Sequence, residues 1–328
     1  MRFLKNSFTV LAVMVTSAAT GYEASAEVMK ARMAMNLSPI SGVTIIAQNK
    51  GFFKKQGLEI TISNFTSGKQ CLNTVIGGAA EIATTAEAPT TAAAMSKQPI
   101  AFLARMEYSD LKTLTATKSD IKTKEGLKGK KIAFTAGTGS EVYTITLLKA
   151  AGLTKKDVTL VNLRPQDMLP ALTAGSIDAY NTWEPHVSNG KKALGSKVAE
   201  IDTKSIYAET FNIVVMKSYL KKNPVLIDKF LRALIDAEKW MKENPEDAIT
   251  IIAKTVNMKR ETLAAIWKDY VYKVVLDDKQ VNILKAHAQW RLSSGNHPPK
   301  AKMPDFSKVI VSGPLKKIDP SRVTAAGL

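Results

Sequence analysis

Two stretches of this chain carry the same series of signals in the same order. In the first, "MAMNL" reads as a strand from residue 33, "SPISG" as a loop, residues 43–56 as a helix stopped by Gly57, and "LEITISNF" as a second strand. "TSGKQCLNTVIGG" follows as turn and helix, and "EIATTAEAP" as a third strand with its loop. In the second, "KKIAFTAGTGS" is a strand and glycine-rich loop, "EVYTITLLKAAGL" a helix stopped by Gly152, and "KDVTLVNL" a strand. "RPQDMLPALTAG" is turn and helix, and "SIDAYNTWEP" a strand with its loop. Gly57-Leu58 pairs with Gly152-Leu153, and Asn64 with Asn162. "EIATTAE" runs without a gap on "DAYNTWE", which sets Glu87 on Glu184 and Ala86 on Trp183, and both copies then reach a proline, Pro89 and Pro185. A βαβαβ unit repeated in this way predicts an α/β chain of two lobes, each a mostly parallel sheet with helices on both faces. Ligand loops of such sheets gather beyond the carboxyl ends of the strands. That rule selects residues 38–42, 66–69 and 86–89 in the first lobe, and 136–141, 164–166 and 183–186 in the second.

The extended runs "KTLTAT" and "FNIVVMK" read as the connections between the lobes. Beyond Leu220 the pattern is helical. Asn223-Pro224 and Asn244-Pro245 read as N-caps with proline at the first helical position. Ile227, Phe230, Leu231, Leu234 and Met241 line one helix face. The tail "PDFSKVIVSGPLKKIDPSRV" reads as irregular, and this C-terminal part is expected to pack back on the first lobe. Lobe 1 is then residues 27–115 and 211–328, and lobe 2 residues 116–210.

Residues 1–26 read as a secretory signal peptide: Arg2 and Lys5, an apolar run over residues 8–19, and the small-residue site Ala24-Ser25-Ala26. A buried N-terminal helix is the competing reading. No cysteine follows the apolar run, so a lipid anchor is not expected, and the mature protein is expected to be a soluble monomer in the periplasm. No internal apolar run approaches the roughly 20 residues needed to span a bilayer. Cys71 is the single cysteine, which excludes an intramolecular disulfide and reads as a small core residue. The net charge is +17, and +16 without Arg2, Lys5 and Glu23. The lysines fall in doublets at helix ends and turns, without interleaved aromatics, which reads as a solvated surface with no nucleic-acid partner.

Thr138 and Glu141 have capping-box spacing, and Gly137 and Gly139 allow tight turns and close approach. The helix N-terminus they open is an anion site, to which the Thr138 and Ser140 hydroxyls add donors. A plain helix cap without a ligand fits the same residues. Thr66, Ser67 and Gly68, with Lys69, hold the matching place in the first lobe under the same alternative. Ser38, Ser41 and Gly42 come from the first loop, Glu87 from the end of the third strand, and Trp183 and Glu184 from its counterpart. A buried carboxylate needs a partner, so Glu184 facing the cleft would meet a cationic or donor group, with Trp183 over an apolar or cationic part of the same ligand. A zwitterion fits such a cleft. Pairing of Glu184 with a nearby lysine is the alternative. Three histidines and no HExxH, CxxC, GxSxG, P-loop or dinucleotide fingerprint leave no catalytic, metal or cofactor site expected, and His287 reads as structural.

The ordered set "NKGFFKKQGLEI", "GLKGKKIAFTAGTGSEVYTITLLKAAGL", "DVTLVNLRPQDMLPALTAGSIDAYNTWEPHV" and "KNPVLIDKFLRALIDAEKWMKENPEDA" resembles the periplasmic solute-binding proteins of ABC importers, of the nitrate/sulfonate/taurine type. The resemblance implies a type II periplasmic-binding-protein fold that closes on a small organic anion, hinged at two crossover strands, and delivers it to an inner-membrane permease. It implies an anionic head at residues 137–141, with Trp183 and Glu184 on one side and residues 38–42 and 66–68 on the other. A thiamine-precursor-like pyrimidine, a same-fold enzyme or a sensor partner are the alternatives it leaves open.

Overall fold

The computed structural model describes residues 28–326, so the segment read as a signal peptide lies outside the described residues. Among the described residues ten strands form two sheets: β1 (Met29–Asn36), β2 (Leu58–Phe65), β3 (Ile82–Ala86), β4 (Ile100–Asp110), β5 (Lys112–Ala116), β6 (Lys131–Phe134), β7 (Thr159–Asn162), β8 (Ala179–Thr182), β9 (Val198–Ile201) and β10 (Ala208–Met216). The first sheet runs β2-β1-β3-β10-β4 and the second β7-β6-β8-β5-β9. Each holds a parallel triplet, β2-β1-β3 or β7-β6-β8, because helices carry the chain between those strands. β10 enters the first sheet antiparallel between β3 and β4, and β5 enters the second antiparallel between β8 and β9.

The repetition holds at the level of single hydrogen bonds. Glu81 donates its N–H to the Arg32 carbonyl at 2.9 Å, and its carboxylate accepts from the Arg32 N–H at 2.6 Å. Asp178 donates to the Lys131 carbonyl at 2.8 Å and accepts from the Lys131 N–H at 2.8 Å. An acidic residue just ahead of each third strand therefore fixes that strand against the first.

Some local readings change. The helix expected over residues 43–56 breaks into Gly42–Asn49 and Phe52–Lys55, because Gly51 takes a left-handed φ of 72° that only glycine adopts cheaply. Asn223 and Asn244 do not cap the helices that follow them; each side chain donates backward, to the Tyr219 and Trp240 carbonyls, and closes the preceding helix. "KTLTAT" and "FNIVVMK" are paired sheet strands, and the passages between sheets are the single residue Leu111 and residues 202–207. Sheet pairing thus places Lys112–Ala116 with the second lobe and Ala208–Met216 with the first, a few residues ahead of the boundaries read from sequence.

The first lobe and the C-terminal helices share one core, in which Phe53 stacks on Phe230 with ring centroids 5.1 Å apart. Burial of rings like these stabilises by about 1.5–3 kcal/mol each. The tail is tied to the same lobe: Phe102 donates to Val309 and accepts from Val311, both at 2.9 Å. The second lobe has two smaller clusters, one around Tyr143 and Leu147, the other around Tyr180 and Met168.

Candidate functional site: the cleft between the lobes

Direct bonds join the two lobes across the cleft. Ser38 Oγ donates to the Glu184 carbonyl at 2.6 Å, and Lys69 Nζ donates to the Ala136 carbonyl at 3.0 Å. Asn296 Nδ2, from the C-terminal segment packed on the first lobe, donates to Glu141 Oε1 at 2.9 Å. The arrangement is therefore a closed one.

Most of the residues selected from sequence are buried along this seam. Ser38 and Ser41 are buried, the latter 3.4 Å from Thr84 Oγ1. Gly42 admits no side chain, since a Cβ there would stand 2.7 Å from the Tyr272 ring, and one at Gly68 would stand 2.8 Å from Thr85 Cα. Ser67 caps its helix by accepting from the Gln70 N–H. Thr66 lies apart: it is exposed, and its N–H and hydroxyl both turn to the Gln70 side chain.

In the second lobe, Thr138 donates its hydroxyl proton to the Thr135 carbonyl and Ser140 donates to the Asn181 carbonyl, so both hydroxyls are used inside the fold. The capping box does not close as expected. Glu141 accepts from the Gly137 N–H at 2.7 Å, while Thr138 accepts from Ser140. Gly139 is needed for a close approach: Glu209 Oε1, from the opposite lobe, lies 2.5 Å from where its Cβ would be. A carboxylate of the chain itself thus rests against the helix N-terminus, where the local dipole favours negative charge.

Glu87 and Glu184 align in sequence but differ in surroundings. The Glu184 carboxylate accepts from the Ser188 N–H at 2.9 Å, at the start of the helix His186–Leu194, while its carbonyl accepts from Ser38 across the cleft. Burial raises its pKa, opposed by the Ser188 donors. Glu87 is wholly buried and accepts from the Tyr207 hydroxyl, the Thr210 N–H at 2.7 Å and the Thr210 hydroxyl at 3.0 Å. His287, read as structural, belongs to this group: its Nε2 lies 3.1 Å from the Tyr207 hydroxyl and 3.6 Å from Glu87 Oε1. Burial lowers its pKa to about 3, so the imidazole is neutral at physiological pH and the contact is not an ion pair. Trp183 is 5% exposed, and its Nε1 has no hydrogen-bond partner.

Sequence reasoning missed two carboxylates, Glu107 on β4 and Glu209 on β10. Both are buried; neither Glu107 oxygen and not Glu209 Oε2 has a hydrogen-bond partner. Burial pushes both well above the usual carboxylate range; Ser109 and the charge of Arg105 oppose this at Glu107, while the neighbouring carboxylates add to it at both. The signal was a carboxylate inside each of two mostly apolar strands, "IAFLARMEYSD" and "AETFNIVVM". Thr85 Oγ1, Thr182 Oγ1 and Asn212 Oδ1 are also buried without partners. Orphan polar atoms thus lie in both sheets, whereas native interiors satisfy nearly all such groups. Among the described residues no group of three His, Cys, Asp or Glu side chains is arranged to hold a metal ion.

A family model described as NMT1/THI5 like matches residues 39–248. The chain belongs to the NMT1/THI5-like family. Within reach of this NMT1/THI5-like chain, the taurine-binding periplasmic protein of Escherichia coli (strain K12) is 28% identical over 243 residues, 73% of this chain and 70% of that one. The crystal structure of the periplasmic aliphatic sulphonate binding protein SsuA from Escherichia coli matches with a TM-score of 0.72 at 22% identity, covering 86% of this chain and 97% of that one. The periplasmic nitrate-binding protein NrtA from Synechocystis PCC 6803 matches with a TM-score of 0.73 at 15% identity, covering 90% and 89%. At these identities the two structures speak for the fold: two lobes of the periplasmic-binding-protein kind.

Proposed function

We propose that this chain is the solute-binding component of an ABC importer, which closes its lobes on a small organic molecule and presents it to an inner-membrane permease from the periplasm. The observation that carries this reading is the seam itself. It is closed by cross-lobe bonds, yet it holds buried polar atoms of both sheets that no protein group answers. A small polar ligand enclosed between the lobes would answer them, and buried polar groups without partners are costly enough to demand one. The names of the relatives agree with binding, and no helix among the described residues is long and apolar enough to cross a membrane. Binding is favoured over catalysis because His186 and His287 are held neutral by burial, at about 4 and about 3, and neither ring is hydrogen-bonded to a serine or cysteine among the described residues. The test is a thermal-shift panel of aliphatic sulfonates, taurine, nitrate and small amines, with mass spectrometry of any compound released on denaturation. A bound ligand at a hundred times its Kd adds about 2.7 kcal/mol to stability. No released compound and no shift across the panel would overturn the reading.

A further inference from the structure

We infer that the ligand carries a cationic, hydrogen-donating group, an ammonium or an amidinium, which sits between Glu107 and Glu209. This rests on the solute-binding reading above and names the chemistry of that same cleft. The two glutamates lie on the adjacent strands β4 and β10 at the floor of the seam. Their neighbour Glu87 is answered by Tyr207 and Thr210, but they are not. Among the described residues no lysine, arginine or histidine is hydrogen-bonded to Glu107 or to Glu209 Oε2; the buried Arg291, whose Nε and Nη2 also lack partners, acts on Glu141 and Tyr207 instead. Arg105, the nearest by sequence, is held by Asp277 at 2.6 Å, and Lys112 by Asp269 at 2.8 Å. His287 is neutral.

The position expected to hold a ligand's anionic head is already taken. Glu209 Oε1 rests against Gly139 at the helix N-terminus, and Oε2 is left unanswered. A second, independent observation points the same way. Tyr270 and Tyr272 are stacked with ring centroids 5.7 Å apart; burial raises both phenols, and the charge of Glu107 adds to this at Tyr272 and, after that of Glu184, at Tyr270. Aromatic faces beside an unanswered carboxylate make a site for a cation. The unpartnered Trp183 Nε1 and the Thr85 and Thr182 hydroxyls remain for other polar atoms of the same molecule.

The full mature chain would be titrated calorimetrically at pH 7.5 with matched probes: taurine against ethanesulfonate, putrescine against 1,4-butanediol, and benzamidine against benzamide. We expect at least one cationic member to bind at least tenfold tighter than its twin. Glu107→Gln and Glu209→Gln should each weaken that binding about tenfold to a hundredfold, since each removes a charge-assisted bond. The surface variant Glu59→Gln should not change it. Taurine separates a zwitterion from the plain cations putrescine and benzamidine; success with either supports the inference. If ethanesulfonate or nitrate binds as well as the cations, and both glutamine variants retain that binding, the carboxyls act as neutral donors and the inference falls while the solute-binding reading stands. If no probe binds and no compound is released on denaturation, the solute-binding reading falls and takes this inference with it. Should either variant fail to fold, calorimetry of the wild-type chain in buffers of different ionisation enthalpy decides the matter. A cation that pairs with the carboxyls leaves them ionised and so binds with release of protons or with none exchanged, and proton uptake on binding overturns the inference.

Discussion

Replacing Ser38 with alanine should impair closure without impairing the fold. In the closed arrangement Ser38 Oγ donates to the Glu184 carbonyl at 2.6 Å, and both residues are buried. With the lobes apart, water satisfies both groups, so the bond exists only on the closed side of the equilibrium. Ser38→Ala leaves a buried carbonyl unanswered in that state alone, at a cost of about 1–3 kcal/mol. With about 1.4 kcal/mol per factor of ten, the closing constant falls about 5- to 150-fold. Lys69 supplies an internal comparison, since its bond to the Ala136 carbonyl lies at the half-buried rim, where water competes. Lys69→Met should therefore cost about 0.5–1 kcal/mol, a factor of two to five. The assay is small-angle scattering of the ligand-free chain, with calorimetry of the tightest binder in the panel. Ser38→Ala should show the larger radius of gyration and the larger rise in Kd, with a ligand-free melting temperature near wild type. Wild-type scattering and affinity in Ser38→Ala, or a larger effect in Lys69→Met, would refute the reasoning.

Gly68→Ala should destabilise the first lobe by about 1–3 kcal/mol in urea unfolding, because the added Cβ meets Thr85 Cα at 2.8 Å and the Ala86 nitrogen at 3.0 Å, backbone atoms of β3 that cannot step aside; a loss under about 0.5 kcal/mol would count against this. Asp178→Ala should cost about 1–2 kcal/mol, since it strips the Lys131 N–H and the Ser119 hydroxyl of their acceptor, and an unchanged melt would dismiss the strand-fixing role given to it. Ligand-free stability should also fall as pH rises above the ordinary carboxylate range. Glu107 and Glu209 have folded pKa values raised above the unfolded value, so their contribution is fully present below about 4.3 and is lost as pH climbs toward the raised values, at up to about 1.4 kcal/mol per pH unit each. His186 and His287, lowered to about 4 and about 3, run the other way: their contribution is present above about 6.5 and is lost as pH falls through the folded values. A Glu107→Gln, Glu209→Gln double variant isolates the carboxyls from the histidines: the wild-type melting temperature should fall more than the variant's as pH rises, and an equal fall in both would contradict the assignment.

The architecture was legible because the chain states it twice. Gly57-Leu58 and Gly152-Leu153 end equivalent helices, and Glu81 and Asp178 make the same pair of bonds to Arg32 and Lys131, so the aligned letters specify an aligned backbone. The passages between lobes were harder. An extended run such as "KTLTAT" has the same period whether it links two sheets or completes one, and only the pairing of Leu114 with Tyr180 and Glu200 assigns it to the second sheet. The repetition also overreached. It set Glu87 on Glu184 as if they shared a task, but β10 and the helix Asp278–Ser294 bring Tyr207, Thr210 and His287 onto Glu87, while Glu184 turns to its own helix at Ser188. Alignment forecasts where a backbone goes. It does not forecast what a later segment lays against it.

The strands exchanged between lobes therefore carry the chemistry that the repeat does not. Glu209 stands in β10 directly after the passage at residues 202–207, and Glu107 near the end of β4, three residues before Asp110 closes that strand. If the cleft opens about these passages, Glu209 moves away from Gly139 toward water, where hydration favours its charged form. Closing reverses this and must either neutralise the carboxylate or bring it a counter-charge, because an unpaired buried charge costs several kcal/mol. On the inference drawn above, the ligand's cation supplies that charge. Its binding energy then enters the closing step itself, and a neutral analogue of the same shape leaves the lobes to close against two carboxyls that must first take up protons.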